Sequence, residues 1–168
     1  MLSRRPHLRF VLIDRLLELT PGKEATASVR FPRSLEIFHD HFPGRPIVPG
    51  VLLTEAMGQT GGWLIAATLE FARWPLLIMI EHAKFRRPVE PDEELRVRAE
   101  MRSMRNDIFA VDAELTTAGE RVASAQLVFH ASTLAIGADA RQQFRDWARQ
   151  TFASLGGEDL LPTAVKRR

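Results

Sequence analysis

The sequence predicts an α+β fold, in which an antiparallel β-sheet wraps around one long central α-helix and a further helix follows at the C-terminus. Three observations predict it. The stretch from Gly50 to about Phe71 has helical character yet keeps Gly58, Gly61 and Gly62. Each glycine weakens a helix by about 1 kcal/mol relative to alanine, so a helix that retains three implies another element packed close to its backbone. Several segments after it alternate apolar and polar residues with the period of half-exposed strands. Beyond Ile136-Gly137 the apolar residues return to helical spacing.

Taken in order, Pro21-Gly22 marks a turn, and Ala25 to Phe31 then reads as a half-buried strand. Residues Pro32 to Pro49 form a loop rich in Pro, Gly and His, which runs into the central helix. From Trp74 the pattern becomes strand. Leu76 to Ile80 is a fully apolar run, long enough for a buried strand and too short for a helix. Leu95, Val97, Ala99 and Met101 alternate with Arg96, Arg98, Glu100 and Arg102, a strand with one wet face. Phe109 to Leu115 and Val122 to Phe129 alternate similarly, with Ala118-Gly119 as the hairpin turn between them. Phe144, Trp147, Thr151, Phe152 and Leu155 then recur on one helical face, and Gly156-Gly157 ends that helix. The reading is a single domain over residues 1–136, and a helical extension with a frayed basic tail over residues 137–168. The extension either covers the sheet or serves assembly or recognition of a partner.

The chain has 168 residues, 45% apolar and 26% charged, with 10 Gly, 10 Pro and no Cys. This composition excludes disordered, collagen-like and coiled-coil classes, and the length suits one domain burying roughly 70% of its unfolded surface. Without cysteine there is no disulfide, Cys-ligated zinc, iron–sulfur cluster or cysteine nucleophile. Lys and Arg number 23 against 21 Asp and Glu, a net +2, far from a nucleic-acid-scale excess. The basic residues are nearly all arginine, whose fork suits carboxylate and phosphate, so an acidic partner is compatible with the charge. Asp14 and Arg15 cut the apolar run Phe10 to Ile13 short of a signal-peptide core, and no stretch approaches the roughly 20 apolar residues of a membrane span. The expectation is a soluble, cytoplasmic protein.

Chemistry concentrates between His39 and Gln59. There a Pro-rich loop carrying His41 runs into a helix start at Gly50, where free backbone N–H groups and the positive dipole end lie. Glu55 follows about 7.5 Å along the axis, and Gln59, one turn further on the same face, is placed to hydrogen-bond its carboxylate. A neutral-pH base, a carboxyl group and an oxyanion donor suit removal of a weakly acidic C–H beside a carbonyl. The plainer reading, a satisfied loop histidine and a solvated helix glutamate, stays open on these residues alone. His39 and His41 with a carboxylate are a weaker metal motif, since no HExxH-like spacing supports it. No Gly-rich phosphate loop is present, so neither a metal nor a nucleotide cofactor is expected.

The segments His41-Phe42-Pro43-Gly44-Arg45-Pro46, Pro49-Gly50-Val51-Leu52 and Glu55-Ala56-Met57-Gly58-Gln59 resemble the signature of the FabZ-type (3R)-hydroxyacyl-acyl-carrier-protein dehydratases. The likeness extends to Phe10-Val11-Leu12-Ile13-Asp14-Arg15 and to Lys84-Phe85-Arg86-Arg87-Pro88-Val89, covering about residues 8 to 132. It implies a hot-dog fold and a homodimer joined through its sheets, often assembled as three dimers. The active site of that family lies across the dimer interface, with a histidine from one subunit and a glutamate from the other. Carried over, these are His41 and Glu55, with Gly50 as oxyanion donor and Gln59 orienting the carboxylate. The sister family that also isomerises the double bond has aspartate at the carboxylate position, so Glu55 implies plain dehydration. Two positions depart from the pattern: Asp40 replaces the usual Gly before the histidine, and Gly58 stands where Ala is more usual.

The resemblance implies β-elimination of water from a (3R)-3-hydroxyacyl thioester on acyl carrier protein, in type II fatty-acid or lipid-A-linked acyl biosynthesis. Phe42, Val48, Leu52, Met79 and Phe85 are candidate lining for an acyl tunnel, with ordinary core packing as the alternative. Lys84, Arg86 and Arg87 are candidates for docking the acidic carrier. The competing readings are a hot-dog acyl thioesterase, in which Glu55 activates water, and a catalytically silent acyl-carrier-binding protein.

Overall fold

A computed structural model describes residues 10–132 and 137–162. The strands are β1 (Ile13–Thr20), β2 (Glu24–Val29), β3 (Trp74–Phe85), β4 (Leu95–Arg105), β5 (Ile108–Thr117) and β6 (Glu120–Ser132); the helices are α1 (Ile37–Asp40), α2 (Gly50–Thr68), α3 (Ala138–Ser154) and α4 (Gly157–Leu160). The six strands form one antiparallel sheet in the order β1-β2-β4-β5-β6-β3. It wraps α2, whose Ala56, Met57, Leu64, Ile65 and Ala66 are fully buried. This is the hot-dog arrangement expected from the sequence.

Gly61 shows why the helix keeps its glycines. A Cβ there would stand 3.4 Å from the Phe129 ring and from Val111 on the sheet, so β5 and β6 lie against bare helix backbone. The β4 alternation holds as read, with Leu95, Val97 and Ala99 buried and Arg96, Arg98 and Glu100 exposed. Ala118 and Gly119 both have positive φ, at 47° and 82°, as a two-residue hairpin matched to strand twist requires.

Three elements differ from expectation. β1 was not legible as a strand: it buries Ile13, Leu16 and Leu19, a spacing of three set by irregularities in its pairing with β2 after Ile13 and after Leu16. The loop before α2 contains the single turn α1. The Leu76–Ile80 run is not buried. β3 is an edge strand, and Leu76, Ile78, Met79 and Ile80 are between 44% and 55% exposed. An apolar run marks a surface that is to be covered, and a single chain leaves this one bare.

The C-terminal extension joins the main core. Ala148, Phe152 and Leu155 belong to the same buried cluster as the sheet and α2, and the Leu16 amide donates to the Leu155 carbonyl at 2.9 Å. Gly156, at φ 78°, turns the chain out of α3, and a Cβ on Gly157 would fall 2.5–2.6 Å from the Phe152 ring. The basic tail over residues 163–168 lies outside the described residues. Among the described residues no helix is long and apolar enough to cross a membrane.

Candidate active site

The loop from α1 to α2 presents His41. Its Nδ1 lies 3.1 Å from the Ile47 carbonyl. A carbonyl only accepts, so Nδ1 carries a proton, and in the neutral ring the lone pair then lies on Nε2. The Ile47 amide in turn donates to the His41 carbonyl at 3.1 Å, clamping the loop at both ends. The Phe42 ring stacks on the imidazole at 4.3 Å between centroids. Asp40, in place of the expected glycine, lies in α1 and not among the positive-φ residues, so its backbone needs no glycine.

Pro49 precedes α2 and supplies no side-chain cap, and no acidic residue occupies the helix's first turn. The positive end of the helix dipole is therefore not neutralised locally. Gly50 meets the Phe85 ring so closely that a Cβ would come to 3.1 Å from it. The start of α2 is fixed from behind by the Val48 amide, which donates to the Val89 carbonyl at 2.7 Å. The loop that carries Val89 is braced by Arg87, whose guanidinium donates to both Glu93 oxygens at 2.8 and 3.2 Å. That hydrogen-bonded pair raises the Arg87 pKa and holds the Glu93 carboxyl below its ordinary value.

Glu55 is half-buried on α2. Gln59 Nε2 donates to Glu55 Oε1 at 2.9 Å, as the spacing predicts. The same amide is held by the strand leader: Nε2 also donates to the Phe10 carbonyl at 2.9 Å, and Oε1 accepts from the Leu12 amide at 2.8 Å. With both ends of its amide engaged, Gln59 has one orientation and fixes the Glu55 carboxylate in turn.

Glu55 opens onto a cleft of about 560 Å³ lined by Phe10, Val11, Gly58, Gln59, Gly62, Trp63, Trp74, Pro75, Leu76, Leu77, Phe129 and Trp147. His41 is not among these side chains. None of the five expected tunnel residues lines it either. Val48 is in the core and Leu52 is half-buried, while Phe42, Met79 and Phe85 are exposed. Phe42 stacks on His41, and Phe85 packs against Gly50. The cleft's own aromatic wall was missed as such. The helical spacing of Trp147 was visible in the sequence, but its position against α2 and β3 depends on how α3 docks. Of the basic residues, Lys84 and Arg86 line a groove on the outer sheet face, with Arg86 donating to Ser124 at 3.2 Å, whereas Arg87 is committed to Glu93.

A FabA-like domain model matches residues 5–126. A protein named 3-hydroxyacyl-[acyl-carrier-protein] dehydratase FabZ from Symbiobacterium thermophilum is 45% identical over 105 residues, covering 61% of this chain and 74% of that protein. Its namesake from Ligilactobacillus salivarius is 38% identical over 120 residues, covering 71% of this chain and 86% of that one. Among solved structures, the dehydratase heterocomplex ApeI:P from Xenorhabdus doucetiae superposes with a TM-score of 0.62 at 11% identity, over 74% of this chain and 84% of that chain. At that identity the likeness concerns the fold.

Proposed function

This chain belongs to the FabA-like family, among its FabZ-type dehydratases, and we propose from that membership that it removes water from (3R)-3-hydroxyacyl-[acyl-carrier-protein] to give the trans-2-enoyl thioester, with His41 and Glu55 as the acid–base pair. The observation that carries the assignment of roles is the buttressing of these two side chains. His41 donates from Nδ1 to Ile47 and keeps Nε2 for a proton, and Glu55 is oriented by Gln59.

His41 Nε2 takes the C2 proton, and the C2–H electron pair moves toward the thioester carbonyl. The Gly50 N–H and the dipole of α2 stabilise the negative charge that develops on that oxygen. As the charge returns to form the C2–C3 double bond, the C3–O bond breaks and Glu55 delivers the proton that makes the leaving hydroxyl water. Donors held in place before reaction need no reorganisation during it, which is the role Gln59 plays for Glu55.

His41 and Glu55 come from different protomers of a homodimer in this reading. The support is that Glu55's cleft lacks His41, while β3 presents a long apolar outer edge with no partner strand among the described residues. Such an edge is a template for pairing with a second chain. Phe42 and Phe85, against His41 and Gly50, then line the acyl path, with Val48, Leu52 and Met79 as its further candidates. Lys84 and Arg86, in a groove that also holds Arg98 and Arg121, are the residues that receive the acidic carrier, with Arg87 at its margin. A trimer of dimers, a place in type II fatty-acid or lipid-A-linked acyl synthesis, and a cytoplasmic location complete the proposal.

The test is to incubate the protein with a medium-chain 3-hydroxyacyl carrier-protein thioester while following enoyl-thioester absorbance and free thiol in the same sample. Enoyl product without thiol is expected. Thiol release without enoyl product would identify a thioesterase, and neither product from a folded protein would identify a silent carrier binder.

A further inference from the structure

We infer that Trp147, on the C-terminal helix α3, is a specificity-determining residue that closes the far end of the Glu55 cleft and limits the length of acyl chain it accepts. The inference deepens the dehydratase reading and rests on it. Glu55 and Trp147 line the same cleft. Trp63 on the same wall lies eight residues beyond Glu55 along α2, roughly 12 Å on the helix axis, a length that an extended acyl tail of medium size fills. Trp147 is held there by aromatic packing: its ring meets Trp74 at 5.8 Å and Phe144 at 5.2 Å, and Trp74 meets Trp63 at 5.4 Å. These rings form a wall of large, rigid, apolar groups across the path of the chain.

Trp63 and Trp74 belong to the family core, and Trp147 does not. The matched domain ends at residue 126, and α3 begins at Ala138, so the residue that ends the cleft is supplied by the extension. Yet α3 is anchored to the core by buried Ala148 and Phe152 and by Leu155 at its C-cap. Trp147, at 39% exposed, fills the cleft side of a helix whose stability rests on those other residues. Truncating it therefore lengthens the cleft and leaves the fold standing.

The experiment measures calorimetric Kd values for saturated, unreactive acyl-pantetheine thioesters of graded length. In parallel, kcat/KM is measured for 3-hydroxyacyl carrier-protein substrates of short, medium and long chain. The proteins are wild type, Trp147→Ala, Trp147→Phe and, as a control on the solvent side of α3, Gln142→Ala. In Trp147→Ala the chain length at which affinity stops improving moves upward. The long-to-short ratio of kcat/KM rises about tenfold or more, the scale on which apolar pockets discriminate added methylenes. Trp147→Phe falls between, and Gln142→Ala follows wild type. An unchanged Kd profile in folded Trp147→Ala overturns the inference whatever the chemistry. A shifted Kd profile without any enoyl product upholds the inference and instead removes the dehydratase reading.

Discussion

The imidazole of His41 and the carboxylate of Glu55 are each fixed by a neutral partner, the Ile47 carbonyl and the Gln59 amide. A neutral partner orients without neutralising the group it serves. The charged pair in the neighbourhood, Arg87 with Glu93, sits one step back, bracing the loop whose Val89 carbonyl holds the Val48 amide. Its pH consequence has a definite sign. The Glu93 carboxyl is depressed by its hydrogen bonds from Arg87, so its contribution to stability is complete above the ordinary carboxylate pKa and is lost as pH falls through the depressed one. Glu93→Gln is therefore expected to lower Tm at neutral pH and to flatten the acid-side fall of Tm relative to wild type; melting curves between neutral and acidic pH check it. Parallel curves for the two proteins would show that the pair does no such work. The motif residues themselves were readable from the sequence, because His41, Gly50, Glu55 and Gln59 lie within one loop–helix unit and the (i, i+4) rule links the last pair. The Phe10 and Leu12 contacts to Gln59 were not, since they join residues 47 and 49 positions apart.

Elements were legible where one face is wet and the pairing is regular. β4 alternates without interruption over its first six residues and was read directly. β1 departs from alternation because its pairing irregularities put inward side chains three apart, and a period of three matches neither strand nor helix. The apolar Leu76–Ile80 segment of β3 was read as buried because sequence records hydrophobicity and not whether the chain itself covers it. For α2 the glycines were the useful signal. Gly61 faces Phe129 and Val111 at ordinary-to-tight contact distance for a single added carbon, so a branched side chain has no room. Gly61→Val is expected to overpack the helix–sheet interface and destabilise by about 1–3 kcal/mol, read as a lower midpoint in denaturant with an unchanged slope. A midpoint equal to wild type would mean that β5 and β6 are not held against the helix backbone.

Across the whole molecule, the sheet, α2 and α3 share one buried cluster, so we propose that the boundary near residue 136 separates a catalytic domain from an extension that shapes its cleft. Among the described residues no histidine lines Glu55's cleft and the β3 edge has no partner strand, and we propose that a second copy supplies both. Mixing inactive His41→Ala with inactive Glu55→Gln under conditions that exchange subunits should then restore about a quarter of the wild-type rate. Half the dimers become mixed and each of those has one intact site of two, as two-fold symmetry dictates. No recovery despite proven exchange would place both residues of a site in the same protomer. The measurement that reaches the central claim most directly is the reverse reaction in heavy water. A trans-2-enoyl carrier-protein thioester hydrated by the wild type should yield the 3-hydroxyacyl thioester with one deuterium at C2, delivered by His41. His41→Ala and Glu55→Gln should each be slower by a factor on the order of 10²–10⁴, the usual worth of positioned acid–base groups. Hydration at the wild-type rate by folded His41→Ala, or recovery of free acid in place of the hydroxy thioester, would contradict the account.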